Sequence, residues 1–376
     1  MRYDAIVLGL GGMGSAAAYE LARRGLRVLG LEQFEFAHAR GSSHGQTRII
    51  RTLYYEDPAY VPLVERAFAK WYELEQQTGR ALLAQCPCLT VGPRDGELIR
   101  GVTAAAGSCA ELASASLRRQ YGLHVPEDFV GVLDPLAGAL RVEECVRANL
   151  EMAAAHGAEL RAEEPALAWQ PDGDGVEVRT AQGTYRARKL VVAAGAWATQ
   201  LLAGMGLPLT VMRQVMLWFR PHAPEKFRRD TFPIFLVDAP SGAFYGLPML
   251  GPRGVKVALH YGAPELAGPG DVNWDVSDAD EEPVRAFLEA TFPGQFAERV
   301  AGQVCMYTLT PDRHFVIDRH PKYPQVAVAA GFSGHGFKFA PVVGAMLAAL
   351  AATGAPAALF RADRFAVRSL LASGPA

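Results

Sequence analysis

The first 32 residues constrain the fold of this chain more than any later stretch. Tyr3 to Gly9 is leucine-rich and β-branched, Gly11 to Gly14 reads as a tight turn, Ser15 to Arg24 as an alanine-rich helix, and Leu26 to Leu31 as a second strand. Strand, turn, helix and strand in that order make a βαβ unit, whose two strands run parallel. Gly9, Gly11 and Gly14 spell G-x-G-x-x-G between strand and helix, and Glu32 ends the next strand. Glycines at such a turn let the backbone approach a pyrophosphate at the helix N-terminus, and a carboxylate in that place accepts hydrogen bonds from ribose hydroxyls. The stretch points to a dinucleotide without separating a nicotinamide from a flavin.

At 376 residues the chain exceeds what one hydrophobic core organises, so two packed domains are expected. Residues 141–208 hold a helix, Val142 to His156, and a strand, Leu190 to Ala194, that ends in Gly195. Residues 209–304 instead carry short alternating strands, such as Val211 to Phe219 and Gly254 to His260, broken by proline and glycine; this is the pattern of an antiparallel sheet. The tail returns to strand, Gln325 to Ala330, a glycine cluster and an apolar helix, Pro341 to Ala352. The expectation is an α/β nucleotide-binding domain assembled from 1–76, 141–208 and 313–376. An α+β substrate domain is expected from 77–140 and 209–312.

Bulk properties exclude several partners. With a net charge of -2 there is no global field for a polyanion, and nucleic acid is not expected. Cys86, Cys88, Cys109, Cys145 and Cys305 are odd in number and thinly spread, which fits a reducing cytoplasm and no zinc site. The apolar Ala5 to Leu10 is too short for a signal-peptide core, and no apolar run nears the ~20 residues that span a membrane.

Three stretches carry candidate chemistry. Gly41 to Arg51 is a polar loop, with Ser42, Ser43, His44 and Thr47, running into Arg48 and Arg51. An offset of three along a strand sends the two arginines to opposite faces, one for a cofactor and one for a substrate, the plainer alternative being surface ion pairs with Glu56 and Asp57. Alternation in Gly254 to His260 puts Lys256, Ala258 and His260 on one face, and an ammonium in a desolvated pocket marks a place where negative charge develops. An ordinary wet edge strand is the other reading. Gly331 to Lys338 sits between an apolar strand and an apolar helix, so its amides and Lys338 form a cationic corner. Cys305 by composition alone is buried filler.

The glycine motif with Glu32, the Gly41 to Arg51 loop, C-M-Y-T-L-T-P-D-R-H-F-V-I-D from Cys305 to Asp318, and A-G-F-S-G-H-G-F-K-F from Ala330 to Phe339 together resemble the monomeric sarcosine oxidase and N-methyltryptophan oxidase family of flavoproteins. The resemblance covers nearly the whole chain. It implies a doubly wound, Rossmann-like FAD-binding domain beside the antiparallel substrate domain, and a monomer. It also implies that FAD is held by Gly9, Gly11, Gly12, Met13, Gly14, Glu32, Ser42, Ser43, His44, Thr47, Arg48, Gly195, Gly334, Gly336 and Lys338, with a thioether to Cys305. Arg51 and Lys338 would clamp the carboxylate of an N-alkyl amino acid, Tyr245 and His260 would line the pocket, and Lys256 would promote electron transfer to O2. Oxidation would give an imine, hydrolysed to aldehyde and amine, with release of hydrogen peroxide. Ala258-Leu259 before His260, and Pro248 to Arg253, depart from the family's pattern and imply a wider or more apolar pocket. A nicotinamide dehydrogenase, a flavin dehydrogenase using another acceptor and a non-catalytic flavin-binding module are the rival readings.

Overall fold

The chain's computed structural model describes residues 2–106, 110–352 and 355–365, so Cys109 lies outside the described residues. Strand Arg2–Leu8 is the centre of a sheet of eight strands among these residues. It pairs in parallel with Val28–Leu31 on one side and Thr184–Val192 on the other, and the parallel array extends to Glu159–Arg161 and Val326–Ala330. Ala5, Ile6, Val7 and Leu8 are all buried, because both faces of a parallel sheet are covered. One face packs on helices Gly12–Ala22, Val142–Ala155 and Ala340–Ala352. The first and last approach so closely that a Cβ on Gly344 would lie 2.6 Å from the Ala16 backbone. Antiparallel strands Ala168–Asp172, Gly175–Arg179 and Val316–Arg319 complete this sheet.

The second sheet has nine strands among the described residues and is antiparallel except where Ile234–Ala239 runs parallel to Cys88–Pro93. Its two faces differ as alternation requires. Leu217, Phe219, Phe235, Phe244, Val255 and Val257 face helix Asp278–Thr291 and form a phenylalanine-rich core, with Phe244 stacked on Phe287 at 4.1 Å. Trp218, Tyr245, Lys256, His260, Cys305 and Tyr307 occupy the opposite face, toward the first sheet and the 41–51 loop. The elements that pack and the groups that react are thus separated by a period of two.

Two local expectations change. The first helix begins at Gly12, three residues before Ser15, so the glycines form its first turn and lie within the helix. The strand carrying Arg48 covers only Thr47–Ile50, in a three-stranded sheet with Leu83–Gln85 and Gly138–Arg141. Arg51 lies beyond its end, so strand alternation does not govern where that side chain goes.

Candidate functional site

The glycine turn opens onto a cavity of about 1470 Å³ lined by Gly9, Gly11, Gly12, Met13, Glu32, Ser42, Ser43, Gly195 and Phe332, among others. Gly9 has φ +83°, and a Cβ there would lie 2.7 Å from the Ala193 carbonyl. Gly14 does not line the cavity; its missing Cβ lets the helix sit against the Gly9 carbonyl. Gly11 caps the helix without a side-chain bond, and the Gly12 amide donates to Ser43 Oγ at 3.0 Å. Glu32 accepts from the amides of Leu10 (2.8 Å) and Phe34 (3.2 Å), which aims its carboxylate along the cavity wall.

Ser42, Ser43, Gly195 and Phe332 also line a second cavity, about 1030 Å³, so the two join at these residues. The walls of the second include Thr47, Arg48, Arg51, Tyr245, His260, Gly334, Gly336 and Lys338. Arg48 and Arg51 therefore face one cavity and not opposite sides of a strand, because the strand stops at Ile50. His44, Lys256 and Cys305 stand behind these walls. Arg48 Nη2 donates to Cys305 Sγ at 3.3 Å and to the Ser42 carbonyl at 2.8 Å. Lys256 Nζ donates to the carbonyls of Gly45 (2.9 Å) and Thr47 (3.0 Å). Lys256 and His260 share a face but stand about 13 Å apart, four residues along a strand.

Charge in this cavity is strongly conditioned by burial. Burial, then Arg48, pushes the Lys256 ammonium well below the usual lysine range, although two carbonyls share its protons. Burial lowers His44 to about 3, with Arg48 adding to the effect, and lowers His260 to about 3, so both imidazoles are neutral at ordinary pH. Burial and then Arg51 bring Lys338 down to about 7; its Nζ donates to the His335 carbonyl at 2.6 Å. Arg51 is held by Glu56, whose two carboxylate oxygens each lie 2.6 Å from Nη2, and by the Leu53 carbonyl at 2.8 Å. Burial raises the Glu56 carboxyl, but Arg51, His335 and Lys338 together outweigh it and hold it at about 2. The ion pair read from sequence as a surface alternative is thus present, with Arg51 buried and Glu56 partly so, while Asp57 instead accepts from the Ala59 amide.

Tyr54, Tyr55, Glu56, Tyr307 and His335 were not singled out as site residues, though Tyr55, Glu56, Tyr307 and His335 line the cavity. A period of two puts Tyr307 beside Cys305, a legible signal, and Glu56 is legible as an ion-pair partner; the packing of Tyr54 and Tyr55 against Arg51 has no signal in the sequence. Of the two departures noted above, Ala258 lies opposite Tyr245, wholly buried, while Leu259 points to the other face against Gly242 and Gly262. None of Pro248 to Arg253 lines the cavity, so that departure does not shape it.

The donor set fits FAD. A helix N-terminus without a side-chain cap and a glycine cradle would meet a pyrophosphate, Glu32 would meet a ribose, and the buried Thr308 hydroxyl on the second cavity has no hydrogen-bond partner among the described residues. The profile of the FAD dependent oxidoreductase family (DAO) matches residues 4–350. The monomeric sarcosine oxidase of Streptomyces avermitilis is 44% identical over 97% of this chain and 98% of its own length. The N-methyl-L-tryptophan oxidase of Yersinia pestis is 34% identical over 93% and 95%. Among solved structures, the open form of NikD, an unusual amino acid oxidase essential for nikkomycin biosynthesis, superposes with a TM-score of 0.84 at 26% identity, covering 95% of each chain. With its glycine turn, its two joined cavities and this likeness from end to end, the chain belongs to the monomeric sarcosine oxidase and N-methyltryptophan oxidase family of FAD-dependent amine oxidoreductases.

Proposed function

We propose that the chain oxidises a small N-alkyl amino acid such as sarcosine to an imine, which water hydrolyses to aldehyde and amine, with O2 reduced to hydrogen peroxide. The observation that carries this reading is the pair of buried cations, Arg51 and Lys338, in the same cavity that opens into the glycine turn. FAD, when bound, supplies the two-electron acceptor. Arg51 and Lys338 bind a carboxylate at two points, which orients the N-alkyl group. His260 is neutral and, with its Nδ1 engaged by the Tyr307 hydroxyl at 3.1 Å, does not repel an amine. Arg48 places positive charge in the cavity wall, where it stabilises anionic charge, and Lys256 stands behind that wall.

Covalent attachment to Cys305 belongs to the same proposal. Its support is the contact of Arg48 Nη2, itself on a cavity-lining residue, with Cys305 Sγ at 3.3 Å. The two sheets support the division into 1–76, 141–208 and 313–376 against 77–140 and 209–312, although the small sheet joins Thr47–Ile50 to strands of the second set. The four described cysteines are free and buried, which supports a cytoplasmic protein, and we take it as a monomer. Among the described residues no helix is long and apolar enough to cross a membrane.

The cavity's apolar side, built by Ile49, Leu236, Tyr245 and Leu247, supports acceptance of N-substituents larger than methyl. Peroxide release from a panel of N-alkyl glycines tests both parts. Turnover of sarcosine is expected, with N-ethylglycine within about tenfold in kcat/KM, whereas a pocket fitted to methyl alone would discriminate by the roughly 10–200-fold that one misplaced methylene is worth. No peroxide from any member would reject the oxidase reading, and strict preference for methyl would reject the wider pocket.

A further inference from the structure

Two cations held close together in a buried site repel each other; Glu56 holds Arg51 and the His335 carbonyl accepts from Lys338, and a group between the two can set their spacing. Tyr54 occupies that position. Its ring centroid lies 4.5 Å from the Arg51 guanidinium carbon and 5.3 Å from Lys338 Nζ, so one aromatic ring packs against both. The negative potential over a ring face attracts each cation where little water screens the interaction. Tyr54 is itself buried, wedged against Tyr60 and Phe339 at 5.1 and 5.4 Å between ring centroids.

His335 fixes the ring. The Tyr54 hydroxyl lies 2.5 Å from His335 Nδ1, and His335 Nε2 lies 3.0 Å from the Arg313 carbonyl. A carbonyl only accepts, so Nε2 carries the hydrogen and Nδ1 accepts from the tyrosine. The same residue's carbonyl takes Lys338 Nζ. His335 therefore holds the ring through its imidazole and one of the two cations through its backbone.

We propose that Tyr54, tethered by His335, is the positioning residue of the carboxylate-binding pair, holding Arg51 and Lys338 at the spacing a substrate carboxylate requires. This rests on the assignment of Arg51 and Lys338 to substrate binding. Neither Tyr54 nor His335 takes part in bond changes; they act on affinity through the two cations.

The test uses the flavin-loaded protein, with acetate as a simple carboxylate and sarcosine as substrate. Acetate affinity is read from the perturbation of flavin absorption, and KM and kcat are measured separately. Tyr54→Leu removes the ring and is expected to weaken acetate and raise KM about tenfold, the scale of 1.4 kcal/mol, with kcat within about twofold and flavin content unchanged. Tyr54→Phe keeps the ring and loses the tether, so a smaller loss of about threefold is expected. Unchanged acetate affinity in Tyr54→Leu, equal losses in the two variants, or KM, kcat and flavin content failing together would each overturn the proposal. Lys338→Met separates the two levels. If it too leaves acetate binding intact, the assignment of the cations fails; if it weakens acetate while Tyr54→Leu does not, only the positioning role fails.

Discussion

Burial brings the Lys338 ammonium into the range of ordinary pH, and its titration should make carboxylate binding depend on pH. Burial and Arg51 lower its ammonium to about 7 in the free protein, against the opposing pull of Glu56. A bound carboxylate favours the charged form. Below about pH 7 the proton is already in place and affinity is level; above it, binding takes up a proton, and affinity falls about tenfold per pH unit until the bound-state value is reached. His260 and His335, at about 3 and about 4, and Glu56, at about 2, do not titrate in that window. Acetate titrations from pH 6 to about pH 9 should show this bend, and Lys338→Met should bind more weakly with a flat profile. A flat profile in the parent protein would reject the assignment. Cys305 gives a second expectation at this scale: acid precipitation should leave yellow flavin in the pellet, and Cys305→Ala should release it to the supernatant.

At the scale of elements, the first turn of helix Gly12–Ala22 admits no side chain at one position, while the turn that follows the helix merely disfavours one. A Cβ on Gly14 would lie 1.7 Å from the Gly9 carbonyl oxygen, so Gly14→Ala must push helix and strand apart. A loss of about 3 kcal/mol in unfolding free energy is expected, with a lower flavin-to-protein absorbance ratio. Gly25, at φ +79° with nothing within 4 Å, is the control: Gly25→Ala should cost about 1 kcal/mol and leave flavin content alone. Denaturant midpoints and absorbance spectra check both. The elements themselves were largely legible, since alternation in Val255–His260 separates the packed valines from Lys256 and His260. Helix Gly12–Ala22 starts earlier than its residues suggest because glycine disfavours helix on propensity alone, whereas here its first turn lines the cavity.

Across the whole molecule, the joined cavities run from the first sheet's glycine turn to the reactive face of the second, so a bound FAD contacts both. Flavin should therefore stabilise the entire fold. Cys305→Ala stripped of flavin is expected to melt about 3 °C below the reloaded protein, since ligand at 100 times Kd adds about 2.7 kcal/mol. Equal melting temperatures would show that the cavities fold independently of their occupant. The sequence by itself determined the nucleotide half, because a βαβ turn is local: Gly9, Gly11, Gly14 and Glu32 lie within one unit and the chemistry is written in their spacing. It also marked Arg48, Lys256, Cys305 and Lys338 through short patterns that resemble a family. Only the tertiary structure decided that Arg51 shares a cavity with Arg48, that Glu56 neutralises it, and that Tyr54 and His335 hold the cations. Those relations join residues up to 281 positions apart, and their energies arise from burial and contact, which one-dimensional spacing does not encode.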